Sequence, residues 1–306
     1  MAAERLPAKD AMVLVGVAAI WGFSFVVIRW ALDDIPPLLL AAVRFFLAAV
    51  PVVFFVRRPA APWTVVAGYG LAIGAGQFGL LFLAIRLGFP PGLASLLIQV
   101  QVFFTIALAA AVAKDRPRAH HLVGACFAAL GIVALAAERL AGGAAGSLAG
   151  LVLVLGSAAS WAVGNITAKV AGQRRPLDMF SLVVWSSLVA PLPLAGLSWS
   201  TEGPQAWNQL GHAGVRAWAC VLFMSYIGTL VGYAGWNRML HRHPTAMVAP
   251  FALLIPVVGL ASASLFLGEQ FTAIEAAGTV LVLAGLAVAV LGNRWARRPP
   301  PSPDRP

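Results

Sequence analysis

The sequence predicts an all-α integral membrane protein in which ten transmembrane helices form two inverted five-helix repeats, with both termini in the cytoplasm. Three observations support this prediction. Of the 306 residues, 60% are hydrophobic and only 10% are charged, which is more apolar surface than a soluble core can bury. The apolar residues fall into ten runs joined by short charged or proline-containing connections. The first five runs match the second five at a nearly constant spacing.

Each apolar run is long enough to cross the membrane, because a helix needs about 20 residues to span a hydrocarbon layer about 30 Å thick. Irregular backbone cannot face lipid, so each run should be helical. Prolines and charges in connections such as 33–36, 57–59 and 88–91 are expected to end the helices. The predicted spans are 11–30, 37–56, 64–86, 91–113, 119–137, 147–171, 179–198, 215–239, 245–267 and 271–292.

An internal repeat relates the two halves of the chain. At an offset of 154 positions, residues 69–131 match residues 223–285 in their turn, charge and glycine positions. Upstream the offset is 140, which aligns Trp21 with Trp161. The change of 14 residues is absorbed by the polar segment 199–214, which we predict to be an extra loop in the second copy.

The repeat determines the expected topology. Five spans per copy is an odd number, so the second copy must enter the membrane in the opposite direction, as in many secondary transporters. Residues 1–145 form the first repeat, residues 146–292 the second, and residues 293–306 a basic, proline-rich tail that we expect to be disordered. Of the 21 Lys and Arg residues, 16 lie on the side that holds both termini and four on the other. The positive-inside rule therefore places both termini and the tail in the cytoplasm.

Several stretches resemble a known family over essentially all ten spans. They are Ala19-Ile20-Trp21-Gly22 in span one, Arg44 in span two, Pro256 in span nine, Gly268-Glu269 after it, and the glycines of spans five and ten. This pattern is similar to the EamA-type branch of the drug/metabolite transporter superfamily. The run 99–105 resembles the amino-acid and metabolite exporters of that family. The resemblance implies a bacterial inner-membrane exporter of amino acids or related metabolites, with a central cavity formed by spans one, three, four, six, eight and nine.

Two tryptophans lie near mid-span, although membrane tryptophans are usually enriched at the interfaces. Trp21 and Trp161 are predicted to form symmetry-related walls of a substrate site, with Ser24 beside the first and Asn165 beside the second at helical spacing. The alternative is helix packing in which each indole N–H donates to a neighbouring carbonyl.

Three amides lie at mid-depth, where a polar group without a partner costs several kcal/mol. Gln77 and its neighbour Phe78 in span three, with Gln99 and Gln101 in span four, are predicted to bind substrate. The amides could instead join helices by hydrogen bonds. Because Gln99 and Gln101 are two residues apart on a helix, we expect only one of them, Gln101, to face the cavity.

The second copy supplies different chemistry to the predicted cavity. It has Leu253 and Ile255 where the first copy has Gln99 and Gln101, but span eight offers Tyr233 and Asn237 one turn apart. We predict that Tyr233 and Asn237 bind substrate, although Tyr233 could equally be a packed aromatic residue with a hydrogen-bonded hydroxyl.

Arg44 is expected about 10 Å below the membrane surface, at 1.5 Å per residue. A buried cation must be compensated, either by a substrate carboxylate or by capping carbonyls in a structural role. The resemblance to the EamA-type family implies the structural role for Arg44. Pro250 and Pro256 should bend span nine, as a gate or as a static kink.

Glycines at seven-residue spacing predict closely packed scaffold faces in spans five and ten, at Gly124, Gly131, Gly278 and Gly285.

Other kinds of site and partner are not expected. No cluster of His, Cys, Asp or Glu has metal-ligand spacing, and we predict no metal, no cofactor and no catalytic residues. The net charge of +10 would suggest nucleic acid in a soluble protein, but here the positive-inside rule explains it. The expected partners are a small-molecule substrate and the lipid bilayer, for a chain that is a monomer or a weak homodimer.

Two other functions compete with amino-acid export. An integral-membrane lipid-modifying enzyme would need clustered Asp, Glu or His near an interface, and a multidrug or cation exporter would ordinarily need a buried carboxylate. All 11 acidic residues lie in loops, at termini or near span ends. We therefore expect facilitative transport by alternating access, without obligatory proton exchange.

Overall fold

A computed structural model describes residues 6–112, 117–141, 145–174 and 176–295. The described residues contain ten helices that are long and apolar enough to cross a membrane, as the sequence predicts. Their boundaries agree with the predicted ones to within a few residues. The ten spans are Ala8–Ala31, Pro37–Phe54, Trp63–Arg86, Pro91–Val112, Ala119–Glu138, Leu148–Gln173, Met179–Thr201, Val215–Arg242, Ala249–Leu267 and Ala273–Gly292. The last helix continues to Trp295, and the rest of the predicted tail lies outside the described residues.

Local chemistry explains where several helices begin and end. Pro37 and Pro91 occupy first positions of their helices, where the missing N–H costs nothing because it would have no helical partner. Asp178 caps span seven by accepting a hydrogen bond from the Phe180 N–H at 3.0 Å. Span nine ends at Gly268, whose φ of +67° lies in the left-handed region that favours glycine at a helix C-terminus.

Spans three, four, eight and nine each contain a segment that is not α-helical. Span three is π-helical over Leu71–Phe78 and span eight over Phe223–Val231. Spans four and nine contain 3₁₀ segments at Ile98–Val100 and Ala249–Leu253. Each pair overlaps when the 154-residue offset is applied. Such interruptions are often found at functional sites, because they turn side chains and carbonyls away from regular helical positions.

The polar segment 199–214 is not a loop, and that prediction was wrong. The helix of span seven continues to Thr201, and a further helix follows at Pro204–His212. The two helices are separated by Gly203, whose φ is +81°, and the second begins with a proline at its first position. Ala206, on one side of this helix, is 2% exposed. A short helix with one apolar side can form in a polar segment when it packs onto a neighbour.

Spans five and ten pack together along their glycines. A Cβ atom on Gly124 would lie 2.5 Å from the Gly285 carbonyl oxygen, and one on Gly131 would lie 2.6 Å from the Gly278 carbonyl oxygen. No real side chain tolerates these separations, so the four positions allow the two backbones to meet.

Polar contacts identify the two ends of the helical bundle. We call the end at which span one begins the terminus end. There, Asp10 of span one lies 3.1 Å from Arg242 and 2.7 Å from His243, both at the end of span eight. At the opposite end, Asp33 lies 2.9 Å from Arg216 at the start of span eight. Spans one and eight are therefore linked by ion pairs at both ends.

Two carboxylates at the opposite end bridge the halves of the chain. The oxygens of Glu202 accept hydrogen bonds from the N–H groups of Leu38 and Leu39 at 2.7 and 3.1 Å. Those of Glu269 accept from the Gly92 N–H at 3.0 and 3.4 Å. Each carboxylate belongs to the second half and caps the N-terminus of a helix in the first, where the helix dipole favours negative charge.

Candidate functional site

A central cavity of about 370 Å³ lies among the helices of both halves. All ten side chains that the sequence predicts for substrate binding line it: Trp21, Ser24, Gln77, Phe78, Gln99, Gln101, Trp161, Asn165, Tyr233 and Asn237. Spans one, three, four, six, eight and nine all contribute, and spans two, seven and ten add Arg44, Met179, Leu286 and Val290. The wall is mostly apolar, with a few polar groups, as is typical of small-molecule sites.

The cavity opens toward the terminus end. Met179, Leu240 and Val290 lie within a few residues of that end and are partly exposed. In the other direction the wall contains Ile28 and Leu81, which are 2% and 1% exposed. The ion pairs and helix caps of the opposite end lie beyond this apolar floor. The structure is therefore open to one side of the membrane and closed to the other.

Trp21 is both a wall of the cavity and a packed side chain. Its indole N–H donates to the Gly228 carbonyl at 2.9 Å, within the π-helical segment of span eight. Its ring contacts Tyr233 and Trp236, with centroids 5.4 and 5.5 Å away. A Cβ on Gly232 would lie 2.5 Å from Trp21 Nε1, so glycine is needed there for the indole to fit. The polar atom of Trp21 is used within the protein, which leaves its ring face as wall.

Trp161 differs from Trp21 although the predicted repeat aligns them. Its indole lines the cavity and has no hydrogen-bond partner within the part of the chain that the structure describes. One turn along the same helix, the Asn165 amide donates to Gln101 Oε1 at 2.8 Å and to Thr105 Oγ1 at 3.3 Å. The Thr105 hydroxyl in turn donates to Gln101 Oε1 at 3.1 Å. Span six thus supplies an available indole donor beside an amide cluster.

Both Gln99 and Gln101 line the cavity, so the prediction that only one would face it was wrong. The reason is the 3₁₀ segment Ile98–Val100. Side chains two residues apart diverge by about 120° on a 3₁₀ helix, compared with about 160° on an α-helix. The smaller divergence brings both amides to one wall.

Two of the glutamines present acceptors without partners. Gln99 donates from Nε2 to the Ala252 carbonyl at 3.1 Å, but its Oε1 has no partner among the described residues. Gln77 is 3% exposed, and its Oε1 is also unpartnered. Buried acceptors of this kind are costly unless something donates to them. A ligand that carries N–H donors would satisfy both.

Span eight contributes an aromatic and amide face. Tyr233 packs against Trp21, and Asn237 follows one turn later with an Nδ2 that has no partner in the described residues. Leu253 and Ile255 of span nine also line the cavity, which makes its two halves chemically different. Two further lining aromatics, Tyr69 and Trp236, were missed, although Trp236 follows Tyr233 by three residues and so shares its helix face.

Arg44 is the only charged side chain in the described cavity wall. It is 5% exposed, and its Nη2 donates to Thr229 Oγ1 at 2.8 Å. Its guanidinium carbon lies 4.6 Å from the ring centre of Phe45 and 4.1 Å from that of Phe78. Each cation–π contact contributes about 0.5–2 kcal/mol, against a cost of about 2.5–3.5 kcal/mol for a cation at the centre of a membrane helix. Aromatic contacts therefore offset much of this cost without supplying a counter-ion.

The prolines of span nine lie beside the cavity. Pro250 falls in the 3₁₀ segment Ala249–Leu253, and Pro256 is buried in the following helix, next to the lining residue Ile255. A proline removes one backbone donor and prevents regular α-helical hydrogen bonding before it. The change from 3₁₀ to α-helix thus occurs at the level of the cavity.

Comparison with known proteins agrees with this architecture. The model of the EamA-like transporter family matches residues 9–137 and 148–291. The chain belongs to this family. The two matched ranges cover all ten spans.

Relatives of this EamA-like transporter have been described in several bacteria. It is 44% identical to a "Probable amino-acid metabolite efflux pump" of Salmonella typhimurium, over 94% of this chain and 97% of that protein. A protein of Escherichia coli strain K12 with the same description is 41% identical, over 94% and 96% of the two chains. A "Probable terminal-alkyne amino-acid exporter" of Streptantibioticus cattleyicolor is 26% identical, over 97% and 98%.

A solved crystal structure shows the same fold. It superimposes on this EamA-like transporter with a TM-score of 0.63 at 18% sequence identity, over 95% of this chain and 100% of its own. With ten spans, and relatives described as efflux pumps and inner-membrane transporters, the chain is a multi-pass protein of the bacterial inner membrane.

Proposed function

We propose that this transporter exports amino acids or related small metabolites from the cytoplasm by alternating access through the central cavity. The observation that carries the proposal is the cavity wall, which combines aromatic and aliphatic surface with amide groups and a single cation. The descriptions of relatives at 41–44% identity support the same substrate class. A volume of about 370 Å³ suits a ligand of this size.

The polar groups suit a molecule that carries both an ammonium and a carboxylate. The unpartnered oxygens of Gln77 and Gln99 can accept from an ammonium group, while the Trp161 indole and the Asn237 amide can donate. No Asp or Glu lines the described cavity. A transporter of cationic drugs would ordinarily place a carboxylate there, so the cavity favours neutral amino acids over such drugs.

Alternating access would use the two inverted halves. In the conformation described above, substrate enters from the terminus end, which the positive-inside rule assigns to the cytoplasm. Release would require the opposite end to open, with the contacts of Asp33, Glu202 and Glu269 broken or moved. Pro250 and Pro256 act in this proposal as the bend about which span nine changes position.

We propose that export is facilitative. A proton-coupled carrier commonly has an ionisable Asp, Glu or His within the membrane, and none lines the described cavity. The test uses full-length protein in liposomes that contain labelled neutral amino acids, with and without an imposed pH gradient. Saturable equilibration that is independent of the gradient is expected. Uphill accumulation driven by the gradient alone would refute facilitation but not export.

A pair of tryptophan variants tests the cavity itself. Trp161→Ala removes a cavity wall, whereas Trp199→Ala removes a tryptophan that is 58% exposed and outside the cavity. Transport is measured per molecule that elutes as a folded, monodisperse species in detergent. We expect Trp161→Ala to reduce this specific activity and Trp199→Ala to leave it unchanged. Normal specific activity in Trp161→Ala would remove Trp161 from the site.

A further inference from the structure

We propose that Arg44 binds the carboxylate of the transported substrate and thereby selects molecules that carry a free carboxylate. This role differs from the structural one that the sequence suggested. The inference rests on the proposed function, because it names the part of an exported amino acid that this side chain would hold.

The first argument is that Arg44 is a buried cation without a counter-ion. Within the described residues no carboxylate contacts it, and it is the only charged group in the cavity wall. One hydrogen bond to the Thr229 hydroxyl uses Nη2, whereas Nε is buried without a partner. A buried charge is normally paired. An anionic group entering the cavity would supply the missing pair.

The second argument concerns the orientation of the guanidinium group. Phe45 and Phe78 contact it at 4.6 and 4.1 Å through their rings. Aromatic faces attract the cation but cannot accept its N–H groups in the way that carboxylate oxygens do. The rings therefore restrict the guanidinium group and leave donors for an acceptor. Arginine presents its donors in a planar arrangement that matches a carboxylate.

The third argument is the space beside Arg44. A recess of about 10 Å³ adjoins the main cavity, and Arg44, Tyr69 and Tyr233 line both. The recess is further lined by hydroxyl groups, among them those of Ser187 and Thr229. Its volume is about that of one water-sized sphere, so it can admit a carboxylate oxygen but not an amino-acid side chain. The rest of the molecule would lie in the larger cavity.

The arrangement predicts which substrates are accepted. The carboxylate lies at Arg44, and the apolar side chain lies along the aromatic and aliphatic wall. An amino-acid amide, which keeps the ammonium group but lacks the carboxylate, should be rejected. A residue with only a structural role would change the amount of folded protein, but it would not change this discrimination.

The experiment compares L-leucine with L-leucinamide in liposomes that contain the full-length protein. An equimolar mixture of labelled protein amino acids is tested first on the wild type, and the best-transported neutral amino acid replaces leucine if leucine is not moved. The variants are Arg44→Gln, which removes the charge, and Arg44→Lys, which keeps it. Arg58→Gln is the matched control, because the Arg58 guanidinium also packs on an aromatic ring, that of Trp63 at 4.3 Å, but is exposed and lies outside the cavity and the recess.

The expected result is a loss of discrimination that is largest in Arg44→Gln. Arg44→Gln should raise KM for the amino acid by about tenfold to a hundredfold, the range for one lost hydrogen-bonded charge contact. Its preference for the amino acid over the amide should fall by a similar factor. Arg44→Lys should retain more of the preference than Arg44→Gln because the cation stays, although the planar donors are lost, and Arg58→Gln should retain all of it. An undiminished preference in folded Arg44→Gln would overturn the inference.

A second measurement does not depend on how the variants fold. A structure of the wild-type protein with bound L-leucine should show the carboxylate within hydrogen-bond distance of the Arg44 guanidinium group. A carboxylate bound elsewhere would overturn the inference even if leucine is transported. If the wild type moves no amino acid in the mixture, the proposed function itself fails, and that outcome is distinct from transport without a role for Arg44.

Discussion

Adding a single methyl group at Gly232 should displace a wall of the cavity. A Cβ there would lie 2.5 Å from Trp21 Nε1, the atom that donates to the Gly228 carbonyl. The indole cannot withdraw freely, because Tyr233 and Trp236 pack against it. Gly232→Ala should therefore break this hydrogen bond and push the ring toward the cavity.

Three effects set the change in stability: two destabilise the variant and one stabilises it. Overpacking a tightly filled site costs about 1–3 kcal/mol, and the lost hydrogen bond costs about 0.5–1.5 kcal/mol. Replacing a helical glycine by alanine contributes about 1 kcal/mol in the opposite direction. The net expectation is a destabilisation of about 0.5–3.5 kcal/mol.

A second glycine provides a matched control. Gly196 lies within the helix Pro191–Thr201, and a Cβ there would have no atom within 4 Å. Gly196→Ala makes the same chemical change without the clash, so it should be neutral or mildly stabilising. The apparent melting temperature of each purified variant in detergent measures stability, and transport in liposomes measures the effect on the cavity.

The two variants should move in opposite directions. Gly232→Ala should melt below the wild type and transport with a changed KM, while Gly196→Ala should melt at or above the wild-type temperature. Equal melting temperatures and equal KM values for the two variants would refute the placement of Trp21 against Gly232.

Three further predictions concern other parts of the molecule. Asn165→Ala leaves Gln101 Oε1 with Thr105 as its remaining donor and should raise KM by about threefold to tenfold; an unchanged KM in folded protein would contradict a role for this amide cluster. Glu202→Gln removes the charge of the carboxylate that accepts two N–H groups at the start of span two, and it should lower the unfolding free energy by about 1–2 kcal/mol. The neighbouring exposed change Thr201→Ala should have little effect, and equal melting temperatures of the two variants would contradict the capping role of Glu202. Reporter fusions at the C-terminus should show a cytoplasmic location, and a periplasmic signal would overturn the predicted orientation.

The sequence predicts the spans well because two strong physical requirements act on them. A helix must be long enough to cross the hydrocarbon layer, and a polar group at mid-depth must have a reason to be there. Trp161 and Gln101 stand out on the second ground, and both line the cavity. Helical spacing adds Tyr233 and Asn237, which lie one turn apart on one face of span eight.

The features that were missed depend on backbone geometry and on tertiary contacts. The 3₁₀ turn that brings Gln99 to the cavity has no local signal in its neighbours Ile98 and Val100. Likewise, the helix Pro204–His212 depends on packing that buries Ala206. The setting of Arg44 between Phe45 and Phe78 joins side chains from two spans, which spacing along one helix cannot reveal.

The two carboxylate caps at the opposite end affect the order in which the parts of the protein assemble. Glu202 follows its partner Leu38 by 164 residues, and Glu269 follows Gly92 by 177. When the ribosome has completed the first half, the helices of spans two and four still lack these caps. Their N-terminal N–H groups must be satisfied by water or lipid head groups until the second half is inserted. Final assembly of the first half is therefore a late event in biosynthesis, completed only after Glu269 has left the ribosome.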